Sequence, residues 1–172
     1  MKLFHRREAP PAALISLLDK DERVLSWGDA AGGTVVVATP RGLWWPEGSG
    51  NRLIGWQVVS KATWRDGALQ VIEADVDDDL LLIDRLPVTA VLATPRDLPA
   101  TVRKRVEANV VSSEVVAVEG GVARLVARHV PGQDGVQWWA RLEQGAADTE
   151  QVRSAIRARL ALLQSDWEAR QN

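Results

Sequence analysis

Short runs of apolar residues recur along this chain, and most of them are separated by glycine, proline or aspartate. Many runs are rich in valine, isoleucine and tryptophan, and several alternate with polar positions, which is typical of half-buried β-strands. The segments that predict strands are 24–27, 34–38, 43–45, 53–64, 68–74, 80–83, 88–93, 115–118, 122–130 and 136–142. Asp66-Gly67 stands between two of these runs and predicts a tight hairpin turn, so we expect antiparallel pairing there.

Three further stretches have helical spacing instead. Leu14, Leu17 and Leu18 follow a proline pair and predict a short helix that ends near Lys20. A spacing of four predicts a second helix near residues 98–110, with its basic run on the solvent side. In the last stretch, 148–169, Asp148 and Gln151 predict a capping box, and the apolar stripe is Val152, Ile156, Leu160, Leu163 and Trp167.

These elements predict one domain over residues 1–172, because 172 residues with 46% apolar content suit a single core. Its expected parts are an N-terminal arm and short helix (1–20), mainly antiparallel strands (21–145) that include the helix near 98–110, and the C-terminal helix (148–169). Many antiparallel strands closed by an amphipathic helix predict an α+β fold. The expected architecture is a partly open β-barrel or half-barrel with a C-terminal capping helix.

The first part of the chain resembles a known family. Residues 22–27 form an acidic and then hydrophobic first strand, residues 35–45 form a second strand with Thr39, Arg41 and Leu43 near its end, and residues 56–64 lead into the hairpin. This pattern, over about residues 20–75, is similar to the opening of bacterial pleckstrin-homology-like domains. The resemblance implies a scaffold for assembly and interaction that has no catalytic residues.

The charge balance argues against several classes of partner. The chain has 21 Lys+Arg and 23 Asp+Glu, so no strong field attracts nucleic acid or an anionic membrane. Its apolar runs are far shorter than the ~20 residues that a membrane-spanning helix needs, and its first residues do not form a signal peptide. We therefore expect a cytoplasmic protein that binds no nucleic acid and does not insert into a membrane.

The residue types needed for catalysis are scarce. The chain contains no cysteine, no tyrosine and two histidines, which excludes thiol chemistry and cysteine-based metal sites. His129 is expected at the rim of the fold, and the acidic run 75–79 lacks the glycine and glutamate of a calcium loop and predicts a solvated turn. Nucleotide-binding glycine patterns and a hydrolase elbow are also missing. We expect a protein that is not an enzyme and needs no cofactor or metal.

Tryptophan is the unusual residue of this chain, with eight copies. Two adjacent pairs lie on predicted strands, where successive side chains point to opposite faces, so one ring of each pair is expected to face outward. Tryptophan and arginine are both enriched at protein interfaces. The candidate interaction surface is therefore Arg41, Trp44, Trp45, Trp138, Trp139 and Arg141, with Trp45 and Trp139 as the rings to substitute first. Cover by the protein's own helices is the other interpretation of these pairs.

Two functions from different classes follow from this pattern. The leading hypothesis is a non-enzymatic interaction or scaffold module with a pleckstrin-homology-like fold, whose partner is another protein or a second copy of the chain in a homodimer. The alternative is a small-ligand-binding barrel, in which the inward rings of the two pairs line a pocket at the barrel mouth.

Overall fold

The computed structural model describes residues 8–171, so residues 1–7 of the predicted N-terminal arm lie outside the described residues. The strands are β1 (Ser26–Ala30), β2 (Val35–Ala38), β3 (Gly42–Glu47), β4 (Gly50–Gly55), β5 (Val59–Arg65), β6 (Ala68–Asp77), β7 (Leu81–Asp84), β8 (Val88–Thr94), β9 (Val110–Val118), β10 (Gly121–Arg128) and β11 (Gln137–Glu143). The helices are α1 (Ala12–Ile15), α2 (Leu98–Asn109) and α3 (Glu150–Gln171). The predicted α+β class is confirmed as an open, mainly antiparallel sheet with a C-terminal helix.

The strands form one open sheet in the order β4-β3-β2-β1-β8-β6-β7-β11-β10-β9, and β5 pairs with β6 beside this path. Neighbouring strands run antiparallel, except that β7 and β11 are parallel. Strand β6 is ten residues long. Its first part pairs with β5 and β8, whereas its last four residues pair with β7. This one strand therefore belongs to both halves of the sheet.

The first half of the sheet, β1–β6 with β8, encloses a core that α2 covers. Leu98 and Val102, which are four residues apart on α2, are fully buried in the same cluster as Leu43 of β3 and Trp56. Across this half, Arg52 of β4 forms an ion pair of 2.7 Å with Glu73 of β6. The sheet is therefore curved enough to bring β4 close to β6.

The second half, β7 with β9–β11, packs against α3. Val152, Ile156 and Leu160 of α3 are buried in one cluster with Leu125 of β10 and Trp138 of β11. The predicted apolar stripe of this helix is therefore its buried face. The C-terminal helix covers the second core, while α2 covers the first, because each half of the sheet has its own apolar face to bury.

The prediction of a single strand over residues 53–64 is wrong. A short 3-10 turn, Trp56–Val58, separates β4 from β5. The ring of Trp56 is buried at this turn, and its Nε1 donates a hydrogen bond of 2.9 Å to the Thr39 carbonyl. Burial of this large ring explains why the chain leaves the extended conformation here, although its local alternation favours a strand.

One predicted helix end and one predicted helix cap need correction. Helix α1 ends at Ile15 and not near Lys20. Of the three leucines that predicted a longer helix, only Leu14 is buried in a hydrophobic cluster. At α3, Thr149 and not Asp148 caps the helix, because its Oγ1 accepts a hydrogen bond of 3.2 Å from the Val152 amide. Asp148 instead forms an ion pair of 2.6 Å with Arg153.

Gly42 lies where β3 passes closest to β4. It pairs with Gly55, and a Cβ on Gly42 would stand 2.1 Å from the Ile54 carbonyl oxygen. A side chain at Gly50, on the other strand of the same hairpin, would meet nothing within 4 Å.

We predict that Gly42→Ala lowers the free energy of unfolding by about 2 kcal/mol or more, since the added methyl group forces the two strands apart. The control Gly50→Ala is expected to change it by less than about 0.5 kcal/mol. Urea denaturation of both variants measures the difference. Equal stability of the two variants would contradict the close approach at Gly42.

Candidate functional site

A groove of about 580 Å³ opens between β5 and the first turns of α2. Thr63 and Trp64 of β5 form one wall, Pro99 and Ala100 of α2 form the other, and Leu69 of β6 lies at the bottom. Trp64 is 40% exposed, which makes it the most exposed of the eight tryptophans. The groove therefore offers an aromatic surface that the rest of the protein leaves open.

The outer edge of β5 runs along this groove. β5 pairs with β6 on one side only. The Asp66-Gly67 turn has φ values of 51° and 75°, which fits a two-residue turn of type I′. Arg65 and Ala68 beside the turn are then a hydrogen-bonded pair, so alternation directs the backbone groups of Ala62 and Trp64 away from β6. Among residues 8–171, no strand pairs with β5 on this side.

The α2 side of the groove is charged, with Arg96, Asp97 and Arg103 in its lining. In the first turn of α2 the Leu98 amide donates to the Pro95 carbonyl and Pro99 has no amide hydrogen, which leaves the Ala100 amide as the donor of that turn. Arg103 lines the groove, and its hydrogen bond to Glu107 raises the pKa of its guanidinium. Arg96 also lines it, and the hydrogen bonds that its guanidinium donates to Glu8 and then to Asp29 raise the pKa of Arg96. Arg96 is ion-paired with Glu8 and Asp29, and Arg103 is ion-paired with Glu107, so the groove carries charges of both signs.

The sequence did not single out Trp64. It was one apolar position in the run before the Asp66-Gly67 turn, and alternation says nothing about which side of a strand stays uncovered. The available signal was its place two residues before a hairpin turn, because a large ring at a hairpin end has few neighbours on the chain itself. The exposed side of Trp64 follows from the position of α2, which only the tertiary structure shows.

The structure removes the tryptophan pairs from the predicted interaction surface. Trp45, Trp138 and Trp139 are only 5%, 8% and 3% exposed. Trp44 is half-buried and donates a hydrogen bond of 3.1 Å from Nε1 to Glu22. Neither Trp45 nor Trp139 is therefore an exposed ring, and the burial fits the interpretation that the protein itself covers these pairs.

The two rings of each pair do point to opposite faces, but both faces are covered. Trp45 enters the first core, whereas Trp44 packs with Leu14 of α1 on the other side of the sheet. Trp138 lies under α3, and Trp139 packs against Leu82 in a separate cluster. Since the pairs lie in different clusters, their inward rings do not line a common pocket.

The two arginines of the predicted surface already have partners. Arg41 is exposed and forms an ion pair with Asp19. Arg141 is mostly buried, forms an ion pair with Asp84, and donates a hydrogen bond of 2.6 Å to Ser60 Oγ of β5. Arg141 therefore connects β11 to β5 and β7 within the protein and is not available as a surface anchor.

Arg128 is a second arginine between the halves, and within residues 8–171 it forms no ion pair, although Asp84 lies near enough to favour its charge. It is 4% exposed, donates a hydrogen bond of 3.0 Å to the Val59 carbonyl, and lies 3.5 Å from Asn109 Oδ1. Its Nε has no partner within residues 8–171. Burial, together with nearby Arg141, lowers the pKa of Arg128 to about 10, so the side chain remains charged at neutral pH.

The acidic run 75–79 is only in part the solvated turn that its sequence predicts, because Asp78 and Asp79 are exposed turn residues whereas Asp75 and Asp77 lie on β6. β6 continues through Asp77, whose carboxylate forms an ion pair of 2.6 Å with Arg153 of α3. Asp78 pairs with Arg157 of the same helix, and Asp75 pairs with Arg85. The carboxylates of Asp77 and Asp78 therefore attach α3 to the end of β6. Across the described part of the chain, no group of three or more His, Cys, Asp or Glu side chains is arranged to hold a metal ion.

Comparison of the chain with protein-family models, with curated proteins and with solved structures finds no match. The helices between residues 8 and 171 include none with the length and apolar character needed to cross a bilayer. The function of this protein is therefore inferred from its own geometry.

We predict that Trp45→Ala and Trp139→Ala each lower the free energy of unfolding by about 3 to 5 kcal/mol, because each removes a core ring. Trp64→Ala is expected to lower it by less than about 1 kcal/mol, since Trp64 is half-exposed. Urea denaturation followed by circular dichroism measures all three. A Trp64→Ala variant as unstable as the other two would show that this ring belongs to the core.

We predict that Arg128→Met leaves the free energy of unfolding unchanged or raises it by about 1 kcal/mol, because an apolar chain of similar length removes a buried unpaired charge. Arg128→Ala is expected to lower it by about 2 kcal/mol, since it leaves a cavity.

The stability difference between Arg128→Met and wild type depends on pH in a direction that follows from the pKa of Arg128. The pKa of Arg128 is lower in the folded protein than in the unfolded chain. The loss of stability that comes from burying its charge is therefore fully present below about pH 10 and declines only above that pH. The stability difference between Arg128→Met and wild type is therefore expected to be constant between about pH 6 and 9. If Arg128→Met lowers the free energy of unfolding as much as Arg128→Ala does, the hydrogen bond from Arg128 to the Val59 carbonyl contributes more stability than burial of the charge removes.

Proposed function

We propose that this chain is a non-enzymatic interaction module with a pleckstrin-homology-like half-barrel, and that the groove between β5 and α2 binds an extended segment of a partner protein. The observation that carries the proposal is the free outer edge of β5 beside the half-exposed ring of Trp64. Backbone donors, backbone acceptors and an aromatic surface then lie along one groove.

The order of elements over residues 26–109 supports the half-barrel. Strands β1–β4 are consecutive antiparallel neighbours, β5, β6 and β8 follow, and β8 returns to pair with β1. Helix α2 comes next and places Leu98 in the core that these strands share. A partly open antiparallel barrel closed by a helix is the architecture that the resemblance of residues 20–75 implies.

Strand addition is the binding mode that suits this groove. An extended segment that pairs with β5 satisfies the outward backbone groups of Ala62 and Trp64, and these hydrogen bonds supply affinity without depending on sequence. Side chains on alternate positions of the segment then face the groove, where Trp64 and Pro99 receive an apolar side chain. Selectivity comes from these side-chain contacts.

Charge further restricts the partner segment. The exposed side chain of Arg103 and the Ala100 amide of α2 lie on the wall opposite Trp64. An acidic residue next to the apolar one therefore gains a charge-assisted contact, whereas a basic residue meets repulsion. The favoured ligand is a short extended peptide that combines an apolar or aromatic residue with an aspartate or glutamate.

A peptide-display library tests this proposal. We predict that peptides selected on the wild-type protein bind at least tenfold more weakly to Trp64→Ala, because the aromatic wall is lost, and that they are enriched in acidic residues. Leu86→Ala is the matched control, since Leu86 is an exposed apolar residue on the loop between β7 and β8. Isothermal titration calorimetry measures the affinities.

Two further measurements test whether the peptide binds by strand addition. N-methylation of alternate peptide amides is expected to abolish binding, and the selected peptides are expected to shift the amide resonances of Ala62 and Trp64 in NMR spectra. Peptides that bind equally well to Trp64→Ala, or a library that yields no binder, would overturn the groove as the binding site.

A further inference from the structure

Strand β9 is the far edge of the second half of the sheet. It pairs with β10 and with no other strand among the described residues. The Glu119-Gly120 turn joins Val118 to Gly121, which are paired, so alternation directs the backbone groups of residues 113, 115 and 117 away from β10. The bulge of the β9–β10 ladder lies at the other end, before Ser112, and leaves residues 112–118 as a regular edge.

This edge lacks the protection that natural proteins give to free strands. Charged residues, especially lysine, and proline usually discourage edge-to-edge pairing. The edges of β4 and β5 carry Arg52 and Lys61, whereas β9 has one charged residue, Glu114, whose carboxylate is bound by Arg159 of α3. Val115, in the middle of the regular segment, is 49% exposed. An unprotected apolar edge of this length is typical of a strand that pairs with another chain.

We infer that this chain forms a symmetric dimer in which β9 pairs antiparallel with β9 of a second copy. The two-fold axis passes through Val115, so that Val115 faces Val115 of the second copy. Ser113 then faces Ala117, and Glu114 faces Val116. This register uses the whole regular segment 112–118, and it gives about six inter-chain hydrogen bonds from the outward groups of residues 113, 115 and 117.

The charged and exposed apolar residues near β9 are compatible with a second copy in this register. Glu114 faces an apolar residue and not its own counterpart, and each Glu114 keeps its Arg159. Leu162 of α3 is exposed and lies one turn after Arg159, on the flank of the helix nearest β9. The axis at Val115 therefore places valine opposite valine at its centre and puts no like charges directly opposite each other.

The expected dimer is small. A seven-residue strand pair with flanking helix contacts buries on the order of 1,000 Å² in total, which is the low end for specific complexes. We therefore expect a reversible dimer with a micromolar dissociation constant. This surface is separate from the groove between β5 and α2, and its test does not depend on the proposed function.

A single engineered cysteine tests the two-fold axis directly, because the chain has no cysteine of its own. Paired residues at this position have Cα atoms about 5.5 Å apart, which is within the range that a disulfide spans. Val115→Cys is therefore expected to form a crosslinked dimer of twice the 18.8 kDa chain mass under mild oxidation. Val91→Cys is the matched control, since Val91 is an exposed valine on the interior strand β8.

Sedimentation equilibrium tests the dimer without a crosslink. Val115→Lys places two ammonium groups directly opposite each other and is expected to weaken the dimer at least tenfold. Val115→Thr keeps the branched side chain and the backbone amide, so it is expected to dimerise like wild type. Trp64→Ala is likewise expected to dimerise unchanged, which separates this interface from the groove.

Two results would overturn the inference. One is a wild-type chain that sediments as a monomer at all concentrations up to about 0.5 mM, well above a micromolar dissociation constant. The other is crosslinking of Val115→Cys no faster than that of Val91→Cys. A monomer whose β9 amides become protected from hydrogen exchange only with a different protein would assign the edge to that partner.

Discussion

Continuous pairing along β6 is the constraint on which both hydrophobic cores depend. Leu69 and Val71, in its first part, lie in the core that α2 covers, whereas Ala74 lies in the cluster that receives Trp139 of β11. Arg141 and Arg128 strengthen the same junction, because they reach from β11 and β10 to Ser60 and Val59 of β5. The two halves are therefore packed against each other and not only joined through the chain.

The groove is a consequence of this arrangement. Among residues 8–171, β5 pairs with β6 alone, and α2 lies over the core of the same half with the groove between its first turns and β5. The backbone edge and Trp64 are left open between them, while the other large rings are needed as core. The groove and the edge of β9 are both places where a strand has no further partner among the described residues.

Local signals were sufficient for some of this fold. The Asp66-Gly67 turn, the stripe of α3 and the spacing of four in α2 depend on residues close together in the chain, and each predicted element is present. The break at Trp56 and the strand character of Asp75 depend on distant partners, Thr39 and the strand β7. For the same reason the sequence did not point to the groove, whose walls come from residues over thirty positions apart.

By itself, the sequence determined which residues alternate and therefore that Trp44 and Trp45, like Trp138 and Trp139, point to opposite faces of a strand. Only the tertiary structure decided what covers each face. Leu14 and Glu22 cover Trp44, α3 covers Trp138, and Leu82 with its neighbours covers Trp139. The physical reason is that side-chain direction follows from the backbone of one strand, whereas burial depends on which other elements pack against it.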